Sequence, residues 1–176
     1  MRQRSIYLGL LLWVVLLSEA VSQESAKIGA LRVSSPAFNH QGQIPGKYGC
    51  AGANINPPLK IENVPAEARS LALIFDDKDA PRGTYVHWIL WNIRPDTKQI
   101  NEDSVPEGAI QGKNDFKKNS YGGPCPPTRP HRYVLILYAL DVRLDLSSES
   151  TTADLEKAIE GHVIAQAQWA GVYKRK

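Results

Sequence analysis

Leu71-Ala72-Leu73-Ile74-Phe75-Asp76-Asp77-Lys78-Asp79-Ala80-Pro81-Arg82-Gly83-Thr84-Tyr85-Val86-His87-Trp88-Ile89-Leu90-Trp91-Asn92-Ile93 is the stretch whose reading decides the fold. Two short apolar runs, Leu71–Phe75 and Val86–Ile93, flank a segment rich in Asp, Pro and Gly. Apolar runs of this length bounded by turn formers read as buried strands, because a core helix needs ten residues or more. Tyr133–Leu140 has the same character, and Ala30–Ser34 and Leu59–Val64 are weaker strand candidates. Near the end, Thr152 is expected to cap a helix running to Glu160, with Leu155, Ala158 and Ile159 as its apolar stripe and Gly161 just past its end. Beyond it Ala165, Ala167 and Trp169 alternate with Gln166 and Gln168, a two-residue period that predicts a strand.

The rest of the chain fits one strand-rich domain. Of 176 residues, 43% are hydrophobic and 22% charged, enough to build a core. The net charge is only +3, with no block of five like charges, so nucleic acid is not an expected partner. Residues 1–22 read as a secretory signal peptide: Arg2 and Arg4, the uncharged run Ile6–Leu17, then Ala20-Val21-Ser22. The alternative is a membrane anchor, but the 12-residue run is short of the roughly 20 a spanning helix needs. The expectation is an exported protein, periplasmic or secreted, starting at or near Gln23. Residues 23–176 would form the single domain, with no membrane span after cleavage.

From Asn101 to His131 five prolines and four glycines exclude a long helix or central strand. Ordered loops of this length are commonly functional; the alternative is a poorly ordered insertion. Three polar clusters adjoin the strongest strands: Asp76–Pro81, Tyr85–Trp88, and Gly123-Pro124-Cys125-Pro126-Pro127 followed by His131-Arg132-Tyr133. Singly, each has a structural reading: Asp caps a turn, His beside Trp is a core residue, and prolines set a loop.

Together, Asp77-Lys78-Asp79-Ala80-Pro81, His87, Gly123–Pro127 and His131-Arg132-Tyr133 resemble, in order and spacing, the signature segments of the phosphatidylethanolamine-binding protein family, which includes the Raf kinase inhibitor proteins. The Cys within the proline loop is similar to the bacterial and archaeal branch. So are Ser35-Pro36-Ala37-Phe38, Ile44-Pro45, Tyr48-Gly49-Cys50, Asn56-Pro57-Pro58-Leu59 and Leu137–Asp141. Lys78 stands where the family usually has Pro, and Arg82 follows the Ala-Pro pair, each placing charge at the rim. The resemblance implies a mainly β fold, a large antiparallel sheet packed on a smaller one with a few peripheral helices. It also implies a small anion pocket, with Asp77, Asp79, Pro81, Tyr85, His87, Gly123, Pro124, Cys125, Pro126, Pro127, His131 and Tyr133 as candidate ligand-binding residues.

The side-chain chemistry suits that implication. Imidazoles and Tyr133 can donate hydrogen bonds to a phosphate or carboxylate, whereas an ionised Asp77 only accepts and would orient a His or meet an amine. Neutral imidazoles still carry one N–H each, so anion affinity is expected to weaken rather than vanish as pH rises through the histidine range. The expected function is an exported binding protein for a small anion or phospholipid head group, without turnover, cofactor or metal, and with no protein partner named. Three alternatives stay open. Cys125, His131 and Asp79 could form a cysteine-dependent hydrolase; His87, His131 and Asp77 could form a facial metal triad; or the protein could inhibit a protease or kinase by contact. Cys50 and Cys125 are the only cysteines. In an exported chain they are expected to form a disulfide, the alternative being two buried thiols.

Overall fold

Arg69 ends the polar approach to the first long apolar run, and the strand that follows is buried along its whole length on both faces. The structure, a computed structural model, describes residues 30–175, so the expected leader lies outside the described residues. Its strands are β1 (Arg32–Ser34), β2 (Gly42–Gln43), β3 (Leu59–Glu62), β4 (Ser70–Asp77), β5 (Tyr85–Ile93), β6 (Gln99–Ile100), β7 (Ile110–Gln111), β8 (His131–Leu140) and β9 (Val163–Tyr173), with one α-helix, α1 (Thr152–Ile159). They form a six-stranded sheet in the order β2-β9-β8-β4-β5-β7 and a three-stranded sheet β1-β3-β6. Every pairing is antiparallel except β2 with β9. The protein is thus mainly β, with two sheets.

Alternation along β4 explains its unbroken apolar run. Leu71, Leu73 and Phe75 enter the core between the sheets with Trp88, Leu90, Leu135, Leu137, Leu59 and Ile61. Ala72 and Ile74 enter a second core, with Ile89, Trp91 and Leu140, that is closed by Leu155 and Ile159 of α1. A strand covered on both faces has no reason to alternate with polar residues.

The helix starts one residue earlier than expected. Thr151, not Thr152, is the cap: its hydroxyl accepts from the Asp154 N–H, and the Asp154 carboxylate accepts from the Thr151 N–H. That reciprocal pair needs an acid three residues on, which Thr151 has and Thr152 lacks. Gly161 follows the C-cap at φ +77°, as its position past the helix end predicts.

One irregularity positions chemistry. Phe75 pairs with Trp88 but Asp76 pairs with Val86, so His87 is the extra residue of a β-bulge in β5. Val86 consequently joins the helix-side core and Trp88 the inter-sheet core, although two-residue alternation would put them on one face. The outer edge of β5 next to the bulge is paired by loop, not strand. Gly112 N–H donates to Ile89, Asp115 N–H to Val86 and Gly122 N–H to His87, while the Asp115 carboxylate accepts from Val86 N–H. The breaker-rich segment is therefore an ordered wall, with β7 as its regular part.

Cys50 and Cys125 are joined in a disulfide that closes a separation of 75 residues, ruling out the free-thiol alternative in this structure. Cys50 N–H also donates to the Pro124 carbonyl at 3.0 Å. Denatured, unreduced protein is expected to show no titratable thiol, and two thiols would contradict the bridge. Replacing both cysteines with serine is expected to cost up to roughly 4 kcal/mol in denaturant unfolding, from loop-closure entropy. A second expectation concerns Gly49, whose Cβ, if it had one, would overlap the ring of buried Tyr173. Gly49→Ala should lower stability by roughly 1–3 kcal/mol, the usual cost of overpacking; an unchanged unfolding midpoint would mean that the ring yields freely.

Candidate functional site

β4 lies between β5 and β8, so its last residue, Asp77, faces Tyr85 on one side and Tyr133 on the other. The bulge places His87 at the same end of the sheet, and β8 begins there with His131. The loops after β4 and before β8 close a cavity of about 320 Å³ over this strand end. Asp77, Pro81, Tyr85, His87, Cys125, Pro126, Pro127, His131 and Tyr133 all line it.

Three candidates do not line the cavity: Asp79, Gly123 and Pro124 hold its walls. Asp79 accepts from the Arg132 guanidinium at 2.7 and 2.9 Å and from the Arg132 N–H at 2.8 Å, which ties the turn after β4 to β8. Those bonds hold its carboxyl well below the usual carboxylate range. Gly123 N–H donates to the Asn54 side chain at 2.7 Å, and Pro124 receives the Cys50 bond. The rim charge expected at Lys78 is also absent from the cavity, because its ammonium is bonded to buried Asp76, two residues back on β4. Arg82 does line the cavity, and among the described residues no ion pair engages it.

Sequence reasoning missed Ala80, Gly83, Thr84 and Phe116 in the lining. Phe116 had a signal: it is the single apolar side chain in Lys113–Ser120. Its ring stands edge-on to His87 at 5.1 Å and to Tyr85 at 5.0 Å. With Tyr133 edge-on at 5.2 Å, His87 is clamped between aromatic rings.

The polar geometry corrects the expectation about neutral imidazoles. His87 Nδ1 is 2.6 Å from the Gly122 carbonyl, which can only accept, so Nδ1 carries the proton. His131 Nδ1 is 2.7 Å from the Asp77 carboxylate and likewise donates. The N–H of each neutral ring is therefore committed to protein, and Nε2 remains as a lone pair. Only the imidazolium form of either ring supplies a further donor. Burial lowers the His87 pKa, opposed by the Gly122 carbonyl and the Asp77 charge, so the ring is neutral at neutral pH.

Asp77 itself is buried, and its second oxygen accepts from Asp79 N–H at 2.9 Å. It is thus the orienter of His131. Tyr133 is fully buried and its hydroxyl has no protein partner of normal geometry. Burial, and then the nearby Asp77 charge, raise its pKa far above the usual phenol range, so it stays protonated as a donor. Among the described residues no three His, Cys, Asp or Glu side chains are grouped to hold a metal ion. The Cys125 sulfur, bonded to Cys50, presents no thiolate.

Comparisons with known proteins agree with this fold. A UPF0098 protein of Methanothermobacter thermautotrophicus is 45% identical over 150 residues, covering 82% of this chain and 99% of its own. One from Pyrococcus horikoshii is 46% identical, covering 84% and 78%. Among solved structures, a phosphatidylethanolamine-binding protein homologue from Chlamydia trachomatis superposes with a TM-score of 0.81 at 39% identity, covering 84% of this chain and 99% of its own. Escherichia coli YbcL, described as a member of the mammalian family, gives 0.76 at 30% identity, covering 84% and 100%. The family model for phosphatidylethanolamine-binding protein matches residues 34–174, so the chain belongs to that family.

Proposed function

We propose that the cavity at the end of β4 binds a small anionic group, a phosphate of the head-group type, without chemical turnover, in a protein exported on its N-terminal leader. The observation that carries this reading is the Tyr133 hydroxyl, a buried donor lining the cavity whose neighbouring acceptor, Asp77, does not meet it at normal hydrogen-bond geometry. Buried polar groups rarely stay unpaired, and a ligand oxygen would pair this one. Arg82 adds a cation at the rim and His87 a second donor once protonated. The family's name, after a phospholipid with an ethanolamine phosphate head, agrees with this chemistry. The cysteine-hydrolase reading lacks its nucleophile while the disulfide stands.

Tyr133→Phe separates binding from structure. Removing an unpaired buried hydroxyl should leave stability unchanged or raise it by about 1 kcal/mol. It should also weaken phosphate binding by roughly 10- to 100-fold in calorimetric titration, the worth of one hydrogen bond to an anion. A loss of stability with unchanged affinity would make Tyr133 purely structural.

The pH dependence has a definite sign. Sulfate keeps its charge through the histidine range, so only the protein titrates. Because the neutral His87 ring turns a lone pair to the cavity, sulfate binding takes up a proton. Its affinity should rise as pH falls from 8 toward the lowered His87 pKa, by up to about tenfold per unit for one linked proton. Hydrogen phosphate carries its own O–H for Nε2 and should depend on pH less steeply. Equal, pH-independent binding of both anions would show that His87 takes no part.

A further inference from the structure

We propose that the Cys50–Cys125 bridge is an exchangeable disulfide, opened by small anionic thiols that dock in a second cavity next to the one at the end of β4 and attack Cys50. Phe116 and Cys125 line both cavities and partition them, whereas Cys50, Asn54, Lys118 and Ser120 line only the second of the two. Its volume is about 170 Å³. At roughly 30 Å³ for each water, that is room for five or six waters or for a thiol of similar bulk. Lys118 is the one charged residue in its lining, and among the described residues no ion pair engages it. Neither cysteine is buried, so a small solute reaches the bridge from this side.

The surroundings of the two sulfurs differ, and the difference gives them roles. Cys50 shares the second cavity with Lys118, while the Arg175 guanidinium lies 3.8 Å from the Cys125 Sγ. In thiol–disulfide exchange the thiolate attacks the sulfur it can reach and expels the one whose charge is better held. Lys118 pairs with the carboxylate of the incoming thiol, and Arg175 takes the charge that develops on departing Cys125. The incoming thiolate bonds to Cys50 Sγ, the Cys50–Cys125 bond breaks, and its electron pair leaves on Cys125. A second thiolate then attacks the ligand sulfur of this mixed disulfide, and that bond's electron pair leaves on Cys50. Two thiols are thereby oxidised to one small disulfide and the bridge is reduced, each cysteine taking up one of the two protons that the thiols gave up.

The bridge is not the only link between its two loops. Gly123 N–H donates to the Asn54 side chain at 2.7 Å, Cys50 N–H to the Pro124 carbonyl at 3.0 Å and the Tyr121 hydroxyl to the Tyr48 carbonyl at 3.0 Å. Those bonds keep the two sulfurs near each other when the bridge is open, which makes the exchange reversible. Apart from Cys125, no group of the cavity at the end of β4 takes part in the bond changes, so the exchange is independent of that cavity's ligand.

The test is the rate at which mercaptoacetate, 2-mercaptoethanol and 2-aminoethanethiol open the bridge of the folded full-length chain, at equal thiolate concentration and low salt. Dividing each rate by that with the urea-unfolded chain cancels the intrinsic nucleophilicity of the thiol. Anionic mercaptoacetate should then exceed cationic 2-aminoethanethiol by about fivefold or more, the effect of one charge a few ångströms away. Lys118→Gln should remove that preference and Lys118→Glu should reverse it, changing the ratio at least about tenfold. Arg175→Gln should slow all three thiols alike. Both side chains are exposed, so these variants leave the core intact. After an acid quench and alkylation, mass spectrometry should find the small thiol on Cys50 and the alkyl group on Cys125. The proposal is overturned if the folded bridge does not open, if the Lys118 variants rank the three thiols as the wild type does, if Arg175→Gln reacts as fast as the wild type, or if the mixed disulfide forms on Cys125.

Discussion

An outward-facing row of backbone groups on β5 has to be satisfied, and how it is satisfied determines the site. Among the described residues no regular strand meets that edge beyond β7, and the loop from Gly112 to Gly122 provides the donors and acceptors instead. Buried backbone left unpaired would cost as much as a lost hydrogen bond at each position. The His87 carbonyl alone accepts from Gly122 N–H and from the Asn114 amide, both at 3.0 Å. Gly122 in turn accepts from the His87 ring. A bulge that would otherwise be a weak point of the sheet thus fastens the segment that carries Phe116 and leads to the proline wall.

The same economy sets the electrostatics. A buried carboxylate is costly unless hydrogen-bonded, and Asp77 is compensated by His131 and by Asp79 N–H before any ligand is considered. With Asp77 and the Nδ1 protons already in use, the cavity has one permanent neutral donor, Tyr133, one rim cation, Arg82, and imidazole donors that exist only when His87 or His131 is protonated. The set of donors facing the cavity is therefore conditional on protonation rather than fixed.

Much of this was legible in the sequence. Leu71–Phe75, Val86–Ile93 and Tyr133–Leu140 became β4, β5 and β8, because apolar runs between turn formers reflect burial directly. Their termini did not: Asp77, Tyr85 and His131 are strand residues, since ladder pairing continues past the apolar stretch. The bulge at His87 was invisible because no residue there breaks the apolar pattern. Alternation read from Val86 to Trp88 assigns one face where the structure has two. The motif residues converge on the cavity, but Asp79, Gly123 and Pro124 serve as wall ties, a distinction that depends on partners distant in the chain, Arg132, Asn54 and Cys50.

The wall beside the cavity is tied to distant parts of the chain. On the β5 side the loop closes the hydrogen-bonding edge and a disulfide from Cys50 to Cys125 holds the wall against the short turn Gly46–Tyr48 and its neighbours. Rigidity there limits the ordering cost of taking up a small ligand.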